Sequence, residues 1–429
     1  MMHSAVKVSV EEPTRWATRF VAPQPKTRVL IVTPQPFFED RGTPIAVSCV
    51  ARALASAGRE VDVLSFPLGR RVDIPGVHLE RAGNPWNIRQ VPIGFSMGKL
   101  LLDASLVTRF RNLLETRNYD VVHAVEEAAW FASVLCPPRG QPFIYDMASA
   151  IPEELRGKGI LGLRPVRALL EATERRVLGR ASQVVCSQGL KARIHSFGID
   201  TPVSEWRFPV PDAVDDNHQT LALRLRLGLA ADDRVVLYAG NFSRYQGVDL
   251  LVDAFAAAAL RDPRLVLVCV GAEDERRAAQ MLDRVPEPLR PRVRMVTRIQ
   301  RGAIPRWLAM ADCLVSPRSG GTNLPLKVFE YLAAHRPIIA TRLGSHESVL
   351  GDGRAFLCDA EPGSLAAAML DVFTDPVRAR RMADDATSYA RRHYGWAEFS
   401  RFINDIYDRV LSGPAGRLGR VAPSGGYMV

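Results

Sequence analysis

Two series of short, continuously apolar segments, each alternating with stretches of helical period, constrain this chain more than any other feature. The first runs RVLIVTP from Arg28, IAVSCVARALASAG, EVDVLSF, residues 94–118, YDVVHAV, AAWFASVL, PFIYDM, a long helical stretch ending near Arg180, and SQVVCS. The second runs RVVLYAG, GVDLLVDAFAAAAL, RLVLVCVG, EDERRAAQMLDRV, VRMVTR, IPRWLAM, ADCLVSP, PLKVFEYLAA, PIIATR and AFLC. Strands apolar on both faces belong to a parallel sheet covered by helices on each side. Between the two series, TPVSEWRFPVPDAVDDNH (201–218) breaks the alternation with three prolines and an acidic cluster, as an interdomain linker does.

The fold class that follows is α/β, with two Rossmann-like doubly wound domains facing across a cleft. The expected layout is a flexible extension over 1–25, a first domain over 26–205, a second over 206–395, a helix at 396–412 packing back on the first domain, and a disordered tail at 413–429. Ligands of such sheets bind beyond the carboxyl ends of the strands, here in the cleft between the domains. No G-x-G-x-x-G follows a strand and no G-x-x-x-x-G-K-[ST] occurs, so a nicotinamide dehydrogenase and a P-loop NTPase are unsupported.

Lysine and arginine outnumber acids 56 to 46, and the surplus favours anionic partners such as nucleoside diphosphates or lipid headgroups. Nucleic acid is not expected, because the arginines are scattered among acids without an aromatic-interleaved stripe. Residues 94–118 place Lys99, Arg109, Arg111 and Arg117 among apolar residues at helical spacing. Two readings stand: an interfacial helix on an anionic membrane, or an amphipathic helix packed on a sheet. No apolar run reaches the roughly 18 residues of a membrane span, and no leader is recognisable, so the expected location is cytoplasmic, with peripheral contact at the inner membrane face. The six cysteines lack C-x-x-C or C-x-x-H spacing and read as buried thiols; no metal site is expected.

The segment SPRSGGTNLPLKVFEYLAAHRPIIAT (316–341) joins a strand, a glycine turn, a short helix and a second strand. Gly320 and Gly321 permit close approach of a ligand, Pro325 suits a first helical turn whose free N–H groups attract anions, and Lys327 and Glu330 share one helical face. In isolation such a pair is also an ordinary surface ion contact. The segment resembles the donor-binding segment of the retaining glycosyltransferases of family four, which have the GT-B fold and carry a glutamate here on the ribose of a nucleotide sugar; Glu330 matches it. The resemblance spans roughly residues 28–411, making the first domain the acceptor domain and the second the nucleotide-sugar domain.

Three departures accompany it. The family's first glutamate, on the donor sugar, falls at Thr322, and the arginine and lysine set against the diphosphate fall at Asn241 and Gln246 in YAGNFSRYQG. This implies a divergent branch in which Arg244 and Lys327 supply the positive charge that a departing diphosphate requires. The backbone from Gly320 to Asn323 assists, and Arg318 is a further cation or a solvated strand edge. Glu347 matches a position near the donor, and also suits a helix N-terminus. Arg41, Gly42 and Thr43, in PFFEDRGTP, form the expected acceptor or phosphate loop. Asp146, closing the strand FIYDM, is expected among the catalytic groups or as a helix cap, with Ser149 and Glu153 as polar neighbours. His123 reads as a satisfied core histidine or a site residue. Trp86, Trp130, Trp206 and Trp307 read as core or hinge packing.

The expected activity is retaining transfer of a sugar from a nucleoside-diphosphate sugar of the UDP or GDP type to a hydroxyl acceptor in surface polysaccharide or glycolipid synthesis. No other cofactor is expected; the acceptor is a glycan, a lipid-linked or a small-molecule hydroxyl. Two alternatives share the fold: a nucleotide-sugar 2-epimerase, against which the missing carboxylate at Thr322 argues, and a non-catalytic nucleotide-binding scaffold, which the three departures motivate.

Overall fold

The computed structural model describes residues 26–39, 42–91, 96–150, 163–210, 217–272, 275–320 and 326–413. The 1–25 extension, the tail beyond Gly413, and Arg41, Glu153, Gly321, Thr322 and Asn323 lie outside the described residues.

The first domain contains strands β1 (Arg28–Pro36), β2 (Glu60–Phe66), β3 (Val77–Arg81), β4 (Val121–Val125), β5 (Phe143–Met147), β6 (Gln183–Cys186) and β7 (Val203–Glu205). Its helices are α1 (Gly42–Ser56), α2 (Met97–Thr116), α3 (Ala128–Leu135), α4 (Arg164–Arg180) and α5 (Gln188–Ser196). The second contains β8 (Arg234–Ala239), β9 (Leu265–Ala272), β10 (Val293–Thr297), β11 (Cys313–Ser316), β12 (Ile338–Thr341) and β13 (Phe356–Cys358). Its helices are α6 (Asn217–Arg226), α7 (Val248–Ala259), α8 (Glu275–Asp283), α9 (Ile304–Met310), α10 (Leu326–Ala333), α11 (Gly344–Glu347), α12 (Gly351–Arg354), α13 (Pro362–Thr374) and α14 (Pro376–Tyr394), with α15 (Trp396–Ser412) following.

Both sheets are parallel, ordered β3-β2-β1-β4-β5-β6-β7 and β10-β9-β8-β11-β12-β13. In each, the order reverses beside the domain's first strand, between β1 and β4 and between β8 and β11. Such a reversal sends neighbouring connections to opposite faces and opens a crevice at the carboxyl ends of those strands. The loop at Gly42, after β1, and the segment 316–341, after β11, both sit at these two points.

β3 and β7 add strands to the sequence reading, and β7 occupies the start of the segment read as linker. Both are edge strands with half-exposed residues, lacking the continuous apolar run that marks a strand buried on both faces. The connection between domains therefore begins at Trp206.

Helix α2 packs on the first sheet through Leu102, Leu106, Phe110, Leu113 and Leu114. Its cations are engaged: Lys99 with Glu127, Arg109 with Glu80 at 2.8 Å, Arg111 with Glu115 at 2.8 Å, and Arg117 with Asp62 at 2.9 Å and Glu80 at 2.8 Å. The packed-helix reading describes it, because cations held by carboxylates do not present a basic face.

Helix α15 leaves the second domain and buries Phe399, Ile403, Ile406, Tyr407, Val410 and Leu411 against Val29, Ile31, Val47, Val50 and Leu54 of the first. At about 1.5–3 kcal/mol per buried side chain of this kind, the face holds the helix on the far domain by a wide margin. The Tyr407 hydroxyl meets His123 Nδ1 at 2.9 Å, His123 Nε2 lies 3.4 Å from Asp146 Oδ2, and the Trp206 indole N–H donates to Asp146 Oδ1 at 2.7 Å.

This network corrects the expectation for Asp146. The side chain closes β5, but it is 3% exposed, and both oxygens serve the buried network and not the cleft. Among the described residues it caps no helix. His123, 1% exposed, is the satisfied core histidine. Asp146→Ala strips the acceptor from two buried groups and is expected to cost about 2–3 kcal/mol in urea denaturation, against about 1 kcal/mol for Tyr407→Phe. Equal small losses would show that Asp146 does not hold the network.

Candidate active site

On the second domain, β8 ends at Ala239 and the chain turns through Gly240, a 3-10 turn at Arg244–Gln246 and Gly247 into α7. Two glycines make this turn possible. Gly247 has φ +70°, and a Cβ there would stand 1.9 Å from the Pro317 carbonyl oxygen, so the loop after β8 lies directly on the loop after β11. Gly240 has φ +152°, and a Cβ would stand 2.9 Å from Lys327 Nζ, in space the ammonium occupies.

Lys327 enters from the first turn of α10. Its ammonium donates to the Tyr238 hydroxyl at 3.0 Å and lies 4.1 Å from the centre of that ring, and the hydroxyl donates to the Asn241 carbonyl at 2.6 Å. Burial and then the Arg318 guanidinium push the Lys327 pKa well below the usual lysine range, while the Glu330 carboxylate pulls it up. Glu330 is half-buried, one turn further along the same helix. The helix is anchored by Tyr331, whose hydroxyl accepts from Ala239 N at 2.9 Å and thereby ties α10 to the end of β8.

Arg318 is the residue that sequence reasoning underweighted. It is 1% exposed, a fully buried arginine and not a solvated edge, with its guanidinium 5.2 Å from the centre of the Tyr245 ring. Its backbone is fixed by Thr341, whose hydroxyl donates to the Arg318 carbonyl at 2.6 Å. Its charge bears on both Lys327 and His346. Arg244, expected in this role, is exposed on the 3-10 turn, where its backbone carbonyl lies 3.5 Å from Ser319 Oγ of the β11 loop. Two closely set cations disfavour one another's charge unless an anion joins them, and Arg318 acts on Lys327 in that sense. Gly320 stands half-exposed at the end of this loop. Gln246, at the place of the family's lysine, is buried with Oε1 lacking a hydrogen-bond partner among the described residues.

His346 lies beneath the β11 loop with no exposed surface. Its Nδ1 faces the Thr341 carbonyl at 2.8 Å and its Nε2 the Ser316 hydroxyl at 3.0 Å, a pattern that assigns the proton to Nδ1. Glu347, on the outer side of α11, is ion-paired with Arg342 at 3.1 Å and is half-exposed.

On the first domain, Thr43 begins α1 and its hydroxyl lies 3.5 Å from Glu126 Oε1, while Gln35 Nε2 donates to Glu126 Oε2 at 2.9 Å. Glu126 has φ +51°, an uncommon backbone for a side-chain-bearing residue, and this turn at the end of β4 aims its carboxylate at the start of α1. Glu127 pairs with Lys99, and beside them the Asp103 carboxyl is pushed up to about 7 by burial and by Glu127, against Lys99. In the sequence Glu126 and Glu127 directly follow YDVVHAV, with no sign of these partners. The domains meet here: a Cβ on Gly42 would lie 3.6 Å from Leu326 Cδ1, at the start of α10. The Gly42 loop and the Lys327 helix thus face each other.

The His346 environment predicts a pH dependence. Burial lowers its pKa to about 4, with Arg318 and Lys327 acting in the same sense against the Thr341 hydrogen bond. Between about 6.5 and 4 the unfolded chain binds a proton that the folded one does not, so stability is lost as pH falls through that window, by about 3 kcal/mol in all. Thermal denaturation across pH 4–7 is expected to show the loss in the wild type and a shallower slope in His346→Gln; parallel slopes would refute the assignment.

Comparison with known proteins agrees with this geometry. Residues 41–204 match the family model of the glycosyl transferase 4-like domain, and residues 233–375 that of glycosyl transferases group 1. The D-inositol 3-phosphate glycosyltransferase of Thermobispora bispora is 25% identical over 415 residues, covering 90% of this chain and 92% of that protein. The phosphatidyl-myo-inositol mannosyltransferase of Mycobacterium tuberculosis is 23% identical over 399 residues, covering 90% and 98%. Among solved structures, Anabaena HepE in complex with UDP-glucose superposes with a TM-score of 0.70 at 18% identity, covering 89% of this chain and 99% of that one. With the two family models falling one on each domain and the fold that of the GT-B enzymes, the chain belongs to the family-4-like, group 1 glycosyltransferases.

Proposed function

We propose that this glycosyltransferase takes a sugar from a nucleoside-diphosphate sugar of the UDP or GDP type and transfers it, with retention of configuration, to a hydroxyl of a lipid-linked or polyol acceptor. The observation that carries the reading is the pair of cations, Lys327 and Arg318, at the β8/β11 switch point, with Glu330 one turn beyond. As the bond from C1 to the diphosphate oxygen breaks, negative charge builds on the leaving group, and preorganised cations in a partly closed site stabilise it most effectively. The Glu330 carboxylate, on the same helical face, suits the two hydroxyls of a ribose.

Retention fits the occupancy of three carboxylates of the first domain among the described residues. Inversion needs a free base on the acceptor hydroxyl. Asp146 is bound to Trp206 and His123, Glu126 to Gln35 and Thr43, and Glu127 to Lys99. In same-face transfer the acceptor oxygen bonds to C1 while its proton passes to the departing diphosphate oxygen, so no protein base is required. The inositol-bearing acceptors named for two relatives, and the UDP-glucose held by HepE, support the substrate classes.

A lipid-linked acceptor accords with the outer face of the first domain. Helix α4 exposes Leu163 at its N-cap, Leu169 and the arginines 164, 175 and 176, the last three without an ion pair among the described residues. Beside it, Trp130, Phe131, Val134, Leu135 and Val107 line an apolar groove of about 500 Å³. Exposed arginines around apolar side chains suit an anionic lipid surface better than water. No helix among the described residues is long and apolar enough to cross a membrane, so the contact is peripheral.

In a panel of UDP-, GDP- and TDP-sugars without acceptor, slow nucleoside-diphosphate release is expected from one donor. Lys327→Met is expected to lower its rate at least 100-fold, and Glu330→Gln to weaken the donor at least tenfold. Binding of no nucleotide at all would overturn the donor reading. Separately, the protein is expected to co-sediment with anionic vesicles at low salt and to be released by Arg175→Glu with Arg176→Glu; indifference to such vesicles would remove the peripheral-membrane part.

A further inference from the structure

Two stretches of chain cross between the domains, the one after β7 starting at Trp206 and the one joining α14 to α15 at Tyr394–Trp396. They are hydrogen-bonded to each other, Val210 N donating to the Tyr394 carbonyl at 2.8 Å. An unbroken line of rings runs through them. Trp206, held at its indole N–H by Asp146, stacks on Phe208 with centroids 5.1 Å apart and planes at 15°. Phe208 meets Phe329 edge-on at 5.8 Å and 68°, and Phe329 meets Tyr394 at 4.9 Å and 83°. Phe329 lies in α10, between Lys327 and Glu330.

Phe208 has a place no sequence motif marks. It packs against the core of the second domain and also against the core formed by the first sheet, α1 and α15. We propose that Phe208 is a positioning residue for the transfer reaction, the fulcrum that sets the pitch of the Lys327–Glu330 helix against the acceptor domain. The proposal rests on the donor assignment given above. The geometry is that of a lever. Phe329 is in edge-on contact with both Phe208 and Tyr394. The N-terminal end of the same helix, at Leu326, is the part that approaches Gly42 of the acceptor loop. A change in how Phe329 seats therefore alters the distance between the donor cations and the acceptor loop. Packed aromatic contacts have a few discrete arrangements and do not deform continuously, so the ring line fixes an alignment and does not merely fill space.

The proposal separates binding from turnover. The donor-side groups, Lys327, Arg318 and Glu330, all belong to the second domain, so nucleotide affinity does not need the fulcrum. Transfer requires both domains in register. Phe208→Ala is expected to leave the Kd for the free nucleoside diphosphate within threefold of wild type and the KM for the donor likewise, while kcat for transfer falls at least tenfold. Phe208→Tyr, which keeps the ring, is expected to recover kcat to within about threefold.

Small-angle X-ray scattering of the ligand-free full chain supplies a reading independent of substrate. Phe208→Ala is expected to broaden the pair-distance distribution and raise the radius of gyration, and Phe208→Tyr to match wild type. A kcat loss that tracks the unfolded fraction measured by calorimetry, or nucleotide affinity and kcat falling together, would overturn the proposal. So would scattering curves that superimpose for alanine and wild type. Should the wild type turn over no donor, the donor assignment fails while the scattering comparison still decides whether Phe208 sets the domain alignment.

Discussion

Asp146 accepts from the Trp206 indole and lies beside His123, whose other nitrogen meets Tyr407 on the C-terminal helix. Through one buried carboxylate, the end of β5, the first residue of the interdomain connection and the returning helix α15 are joined at a single place. An ionisable group with no water around it must be satisfied by its neighbours, and each neighbour is thereby fixed in turn. The relation of the two sheets, and the cleft between them, depends on that point. It also accounts for the burial of a carboxylate at a strand end beside a cleft: its hydrogen-bonding capacity is spent on holding the crossing.

The donor side rests on a different constraint, the close stacking of loops. Gly247 lets the turn after β8 lie against the Pro317 carbonyl, and Gly240 leaves room for the Lys327 ammonium. Tyr238 and Tyr331, both buried in the second core, hold the two ends of this arrangement. The cations so placed are costly in the empty site, since burial and mutual repulsion act against Lys327. A bound anion would offset that cost, which is the physical basis of the donor site proposed above.

Much of the architecture was legible in the chain. Continuous apolar runs such as RVLIVTP and RLVLVCVG announced parallel strands, and the break after residue 201 announced a second domain. The edge strands β3 and β7 escaped because half-exposed strands carry no such run. In the donor segment, Lys327 and Glu330 were visible from helical spacing next to a glycine turn. Arg318 stood between two readings, since an arginine after a strand looks the same in sequence whether it is buried or solvated. Arg244 drew attention for the converse reason: it lies in the expected loop, but the 3-10 turn leaves it exposed.

The sequence alone determined the periodicities, and with them two doubly wound sheets and the loops that flank the cleft, because these follow from local hydrophobic pattern and turn chemistry. Only the tertiary structure decided which charged groups share a site. Asp146 and Tyr407 are separated by most of the chain and meet through His123; Phe208 and Phe329 meet across the domain boundary. Such pairings depend on how whole elements pack, and the composition of a short segment records nothing of what will be brought against it.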